Sequence, residues 1–152
     1  MIGLDERPVS ETCIAGEAPS SGDFQLRRVW SRVRFNQPIG LIQMPGDMGN
    51  PYYLMEKGGR ILRLPANFSS TSASLFLDLR EVVETGGEGG VFSMAFHPEY
   101  PEQPYVFVSH LVDEDGFFTR ISRFTSLDGI TAEDEKILFN LPQNLSPYGR
   151  GS

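Results

Sequence analysis

From about residue 35 the apolar residues recur with period two rather than 3.6, the spacing of strands and not of helices. Eight runs carry the pattern: Ile39–Met44, Tyr52–Lys57, Arg60–Leu64, Ser74–Leu79, Val91–Phe96, Tyr105–His110, Phe118–Phe124 and Lys136–Leu141. The segments between them are rich in Pro, Gly and Asp, which favour turns and interrupt ladders. Gly58-Gly59, between the second and third runs, reads as a two-residue hairpin turn. Helical spacing is confined to Leu79–Thr85, with Leu79, Val82 and Val83 on one side of a turn or two. Thr131–Lys136 reads as a short acidic turn. Ahead of all these runs, Met1 to about Asp23 has no periodicity and reads as an irregular leader.

The runs form two groups of four that echo each other. "MPGDMGNPYYLM" begins at Met44 and "HPEYPEQPYVFV" at His97, an offset of 53 residues. "RILRL" at Arg60 matches "RISRF" at Arg120, an offset of 60, and "FLDL" at Phe76 matches "ILFN" at Ile137, an offset of 61. Four strands repeated about every 50 residues are the signature of propeller blades. The reading is therefore all-β: a β-propeller fragment of about two four-stranded antiparallel blades behind an irregular leader. Residues 24–152 form the partial propeller, with blade one at about 35–80 and blade two at about 88–142. A propeller ring closes with roughly 4–8 blades, so two blades leave both outer faces without partners. Instability or self-association through those faces is the expected consequence if the chain exists alone.

Composition narrows the function classes. The chain has 152 residues, 39% of them hydrophobic, which is enough for a real core. Thirteen Lys and Arg stand against 20 Asp and Glu, for a net charge of −7, and the basic residues are scattered. Nucleic-acid binding needs clustered basic residues, so it is set aside. No apolar run approaches the ~20 residues of a membrane span, and the start lacks the basic and apolar regions of a signal peptide. Cys13 is the only cysteine, so no internal disulfide and no paired-cysteine metal site is expected.

The chemical candidates centre on "GGEGGVFSMAFHP", Gly86–Pro98. A phosphate loop needs a following Lys-Ser/Thr and a helix; here a strand follows, and phosphate binding is rejected. The glycines read as a flexible loop that lets the inner strand approach the propeller axis. Glu88 reads either as a solvated loop charge or as a residue at the mouth of the central channel that meets a ligand, and it is the one residue singled out as pocket-lining. In Val91–Phe96, alternation puts Val91, Ser93 and Ala95 on one face and Phe92, Met94 and Phe96 on the other. The large set is expected to fill the core between blades. His97 and His110 lack metal-ligand spacing, and His97 reads as a turn-stabilising residue before Pro98. "DEDG" at Asp113–Gly116 reads as a hairpin tip rather than a calcium loop. Arg60, Arg63, Arg120 and Arg123 read as edge-strand charge or as ligand contacts. Asn67–Ser69 and Asn144–Ser146 are formal glycosylation sequons. No catalytic and no metal-ligating residue is assigned.

"GGEGGVFSMAFHPEYPEQPYVFVSH" with "TRISRFTSLDG" resembles the glucose/sorbosone dehydrogenase family, soluble quinoprotein sugar dehydrogenases on a six-bladed propeller. "FNQPIGLIQMPGDMGNPYYLMEKGGRI" looks like that family's first blade, and "GLDERPVSETCIA" resembles the leader of its secreted bacterial members. The resemblance implies oxidation of a sugar CH–OH with pyrroloquinoline quinone (PQQ) as electron acceptor, calcium, and a periplasmic or extracellular location. Glu88 stands where the family has a polar pocket residue. The family's general-base histidine lies after the fourth strand of the second blade. This chain reads "NLPQNLSPYGRGS" there and has no His. The resemblance therefore implies a truncated N-terminal part of such an enzyme, inactive alone and not binding PQQ or calcium by itself. The alternative is a non-catalytic ligand-binding module similar to the hedgehog-interacting proteins, which are relatives of this propeller.

Overall fold

The structure, a computed structural model, describes residues 25–46 and 49–143. The leader at Met1–Asp23, Cys13, the sequon at Asn144–Ser146 and the segment where the family carries its histidine lie outside the described residues. Eight strands follow one another: β1 Pro38–Gln43, β2 Tyr52–Glu56, β3 Arg60–Leu64, β4 Ser74–Asp78, β5 Val91–Phe96, β6 Tyr105–Asp113, β7 Phe117–Thr125 and β8 Glu133–Pro142. They form two antiparallel four-stranded meanders, β1-β2-β3-β4 and β5-β6-β7-β8. Each is one blade. The inner strand β5 lies against β1 and β2, and the outer strands β4 and β8 diverge.

The two expected non-strand elements resolve differently. Leu79–Thr85 makes one helical turn, with Val82 and Val83 N–H donating to Leu79 O, and goes no further. Thr131–Lys136 is no turn, because β8 begins at Glu133 and pairs Lys136 with Arg123. The acidic run read as a turn is the start of an exposed outermost strand, where charge opposes edge-to-edge pairing.

The repeat is deeper than the residue match. Both inner strands carry a bulge at the same place: Ile39 is skipped between Pro38↔Glu56 and Gly40↔Met55, and Phe92 between Val91↔His110 and Ser93↔Ser109. Both outer ladders repeat a second bulge, at Phe76 and at Leu138. Matching the registers gives offsets of 53, 54, 60 and 62 for the four strands. The sequence match of Tyr52 to Tyr105 was therefore one residue out. The β5–β6 connection is one residue longer, and a one-residue shift exchanges the two faces of a strand. Tyr53 corresponds to Phe107, and Glu56 to His110.

The bulge at Phe92 also overturns the expected faces of β5. An inserted residue turns its side chain out of the alternation. Val91 and Met94 are buried in the core between blades with Phe96 packed against it, whereas Phe92 is 44% exposed. That core joins Tyr53, Met55, Ile61, Phe76 and Leu77 of blade one to Val91, Met94, Val106, Val108 and Phe124 of blade two. Edge-to-face contacts of Tyr53 with Phe76 and Phe96, at 4.6 and 4.9 Å, sit at its centre. The Tyr53 hydroxyl donates to Gly129 O at 2.6 Å, which ties blade one to the β7–β8 connection. Burial pushes its pKa up to about 12.

The outer faces differ, against the expectation that both are open. On blade one Leu41, Leu54, Leu62 and Leu75 stand side by side across the four strands. Residues 29–35 run over the middle of this face. Trp30, 3% exposed, packs with Leu54 and Leu64, and Val29, Val33 and Phe35 flank it. Trp30 Nε1 donates to Pro65 O, and its ring meets Tyr52 and Phe68 edge-on at 5.4 and 5.1 Å. Among the described residues, no segment covers the outward face of blade two, where Phe107 and Ile121 are half-buried and Phe139 is 59% exposed.

Candidate functional site

The Gly loop, the start of β5, the end of β6 and the β2–β3 turn meet at one end of the inner strands. Backbone bonds assemble this end. Lys57 N–H donates to Gln37 O, Val91 N–H to Lys57 O, Leu111 N–H to Gly90 O and Glu84 N–H to Leu111 O. The loop expected to be flexible is held from within as well. Gly86 N–H donates to the Glu84 carboxylate at 2.6 Å and Gly89 N–H to Gly86 O at 2.8 Å. Two of its glycines are dictated by packing. A Cβ at Gly89 would lie 2.6 Å from Glu84 O, and one at Gly90, where φ is +136°, would lie 2.7 Å from Lys57 O.

Between these segments lies a cleft of about 290 Å³ lined by Ile39, Lys57, Glu88, Gly89, Val91 and Phe92. The structure places Glu88 on its rim, exposed to solvent. The sequence reading missed Lys57, whose ammonium donates to Gly87 O at 2.7 Å. Its signal was available, since the residue before a β2–β3 turn lies at the same end as the loop before β5. The two bulged residues, Ile39 and Phe92, both 44% exposed, form the apolar walls. Bulges re-aim side chains in this way beside binding sites. The cleft thus offers one carboxylate, one ammonium and two apolar walls.

The histidines are separated. His97 is at the far end of β5, where its Nδ1 accepts from Glu99 N–H at 3.1 Å in the turn it stabilises. His110 is at the near end and fully buried, opposite Arg120 in the register. Its counterpart Glu56 is 2% exposed and accepts from Asn36 N–H and Arg60 Nε, each at 2.7 Å. Arg120 instead reaches Glu114 and Asn140, and neither ring nitrogen of His110 has a partner. Burial lowers the His110 pKa, and Arg120 adds to this against an opposing pull from Glu135. The four recurring arginines lie in third strands, not at edges. Arg60 pairs with Glu56, Arg120 with Glu114, and Arg123 lies 4.1 Å from the centre of the Tyr105 ring. For these three, the partners account for the charge better than edge protection does.

Among the described residues, no group of three or more His, Cys, Asp or Glu side chains is placed to hold a metal ion. Asp113–Gly116 is a hairpin tip. A larger hollow of about 770 Å³ lies between β4 and the start of β8, with Asp78, Glu81, Glu133, Asp134 and Glu135 on its walls. It is the wedge left where the two outer strands diverge. No helix among the described residues is long and apolar enough to cross a membrane.

No protein-family model matches the chain. Over 96 residues it is 28% identical to the human hedgehog-interacting protein, a stretch covering 60% of this chain and 13% of that protein. Its fold is similar to the PQQ-bound aldose sugar dehydrogenase of Streptomyces coelicolor, at 21% identity and a TM-score of 0.58, covering 76% of this chain and 33% of that one. It is also similar to an oxidoreductase (glucose dehydrogenase) of Thermus thermophilus, at 24% identity and a TM-score of 0.57, covering 70% of this chain and 29% of that one. At these identities the likeness shows the fold. The chain spans about a third or less of the length of each of these proteins.

Proposed function

We propose that this chain is the N-terminal two-blade part of a quinoprotein sugar dehydrogenase of the glucose/sorbosone type, and that it does not turn over sugar alone. Blade one spans about residues 35–80 and blade two about 88–142. The observation that carries the reading is the cleft at the shared end of the inner strands, where Glu88 and two repeated bulges face a common space. A ring of such blades would bring equivalent positions together around an axis. The likeness in fold to a PQQ-bound aldose dehydrogenase supports the assignment.

The residues present do not make up a site for PQQ. That group carries three carboxylates, whereas the cleft offers one ammonium, already bound to Gly87 O, and a carboxylate that would repel it. Glu88 and Lys57 are therefore one wall of a pocket that further blades would complete. The function of the whole enzyme would be oxidation of a sugar hydroxyl outside the cytoplasm. The second reading, a non-catalytic propeller that binds a ligand, is favoured by the 28% identity to the human hedgehog-interacting protein.

Dye-linked oxidation of glucose and other aldoses, with added PQQ and calcium, tests the first reading. The expected result is a rate equal to that of the protein-free control. Turnover that requires the 152-residue chain would overturn the claim of inactivity.

A further inference from the structure

The repeat puts two different groups at one buried position, Glu56 in β2 and His110 in β6, at 2% and 0% exposed. Each is followed by a residue whose N–H bonds the residue just before the inner strand. Lys57 N–H donates to Gln37 O at 3.0 Å, and its counterpart Leu111 N–H donates to Gly90 O at 2.9 Å. In blade one the side chain adds a second hold on the chain entering β1, because Glu56 accepts from Asn36 N–H. The counterpart of Asn36 is Gly89, whose N–H turns to Gly86 O inside the loop. His110 holds nothing, since neither ring nitrogen has a partner. The hydrogen bonds from residues 84–90 to β6 are therefore two backbone bonds, both at Leu111, the second from Glu84 N–H to Leu111 O at 2.9 Å.

A buried ring without an acceptor is tolerated only while it is neutral. A proton would set a charge opposite Arg120 in the register. The Arg120 guanidinium is 5% exposed and committed to Glu114 and Asn140. From β8, Glu135 attracts the proton, but its carboxylate already accepts from the Ser122 hydroxyl. Across from the ring β5 supplies Val91, which has no charge to offer. In the loop the Glu84 carboxylate accepts from Gly86 N–H, and from blade one the Lys57 ammonium reaches Gly87 O. The least costly relief is to let water in where the structure is weakest. That is the loop, whose residues 86–88 are exposed, whereas β6 is held by ladders on both sides.

We propose that His110 is a pH-sensitive latch for the Gly loop: when its ring takes up a proton, residues 84–90 leave β6 and water reaches the imidazolium. Glu88 and Gly89 move with the loop, so the cleft they line loses one wall. Blade one, with a carboxylate at the matching position, keeps the entry to β1 closed. The latch does not depend on which chemistry the cleft serves.

Amide exchange followed by NMR at about pH 7.5 and pH 5.5, expressed as protection relative to an unstructured chain, tests the latch. The expected result is that Leu111 N–H loses about tenfold in protection at the lower pH. That is the ratio of charged to neutral imidazole once the ring regains its ordinary value of about 6.5 in water. Lys57 N–H, the same bond in blade one, should keep its protection. In His110→Gln, whose side chain stays neutral, Leu111 N–H should keep its protection as well. Equal losses at Lys57 and Leu111 would mean unfolding of the whole chain and would overturn the inference. So would constant protection of Leu111 in the parent, or a tenfold loss that persists in His110→Gln. If that variant does not fold, the comparison of Leu111 with Lys57 in the parent decides.

Discussion

The two blades share a ladder pattern down to the position of each bulge, yet they are finished differently. Blade one has a covered outer face and a buried carboxylate at Glu56 that accepts from Arg60 and Asn36. On blade two no described segment covers the outer face and, at the position matching Glu56, His110 has no partner on either nitrogen. The backbone arrangement therefore does not need the ion pair, since blade two forms the same register without it. What differs is the chemistry with which each blade completes its interior. The unpartnered imidazole leaves blade two's interior less well satisfied at this position than blade one's.

Substitution of the same residue type in the two blades should expose that difference most strongly. Ile61→Ala removes a fully buried side chain from the core between blades and should cost about 2–5 kcal/mol. Its counterpart Ile121→Ala, half-buried on a face that no described segment covers, should cost about 1 kcal/mol or less. Urea denaturation of both variants checks the contrast, and equal losses would show that blade two's face is covered.

Glu56→Ala comes next. It strands Arg60 and the Asn36 N–H and should cost about 2 kcal/mol, a value kept low because Arg60 is partly exposed and water screens it. His110→Gln removes no pairing and should be mild at pH 8. Its effect lies in pH dependence. The His110 pKa is lowered in the fold, so the unfolded chain binds the proton more readily. The stability that comes from neutral His110 is complete above the unfolded value of about 6.5 and is lost as pH falls below it toward the folded value. Thermal unfolding of the parent should therefore weaken from pH 7 to pH 5 more steeply than that of His110→Gln. Parallel pH profiles would contradict this. The smallest effect is expected at the residue before each inner strand. Gly90 and its counterpart Gln37 both have positive φ, 136° and 48°. Gln37→Gly should relieve left-handed strain and stabilise blade one by up to about 1 kcal/mol, measurable as a raised denaturation midpoint.

Much of this fold was legible because period-two runs and Gly/Pro punctuation act locally. All eight strands overlap the runs that the alternation marks, although β8 begins earlier, at Glu133, inside the segment read as a turn. The repeat was legible too, but its second strand was read one residue out. A bulge and a longer connection leave no mark in apolar spacing, and together they decide which face a residue joins. Phe92 shows this most clearly, since alternation assigns it to the core and the bulge turns it into the cleft. The cover supplied by Trp30 could not be read, because the packing of an irregular segment depends on contacts distant in sequence. At the candidate site, the place of Glu88 in the loop that enters β5 was legible from its glycine context. Lys57 could have been read from the turn after β2, which lies at the same end as the loop before β5; the bulged Ile39 and Phe92 could not, because a bulge leaves no mark in apolar spacing.

The central claim is that the two sheets pack face to face as adjacent blades, which is what creates both the axial cleft and the open outer face. Nuclear Overhauser contacts between the rings of Tyr53 and Phe96, and between Tyr53 and Gly129, test it most directly. The account predicts both sets of contacts, together with slow exchange of the Tyr53 hydroxyl proton that donates to Gly129 O. Intact cross-strand contacts within each sheet, without any contact from Tyr53 to blade two, would contradict it.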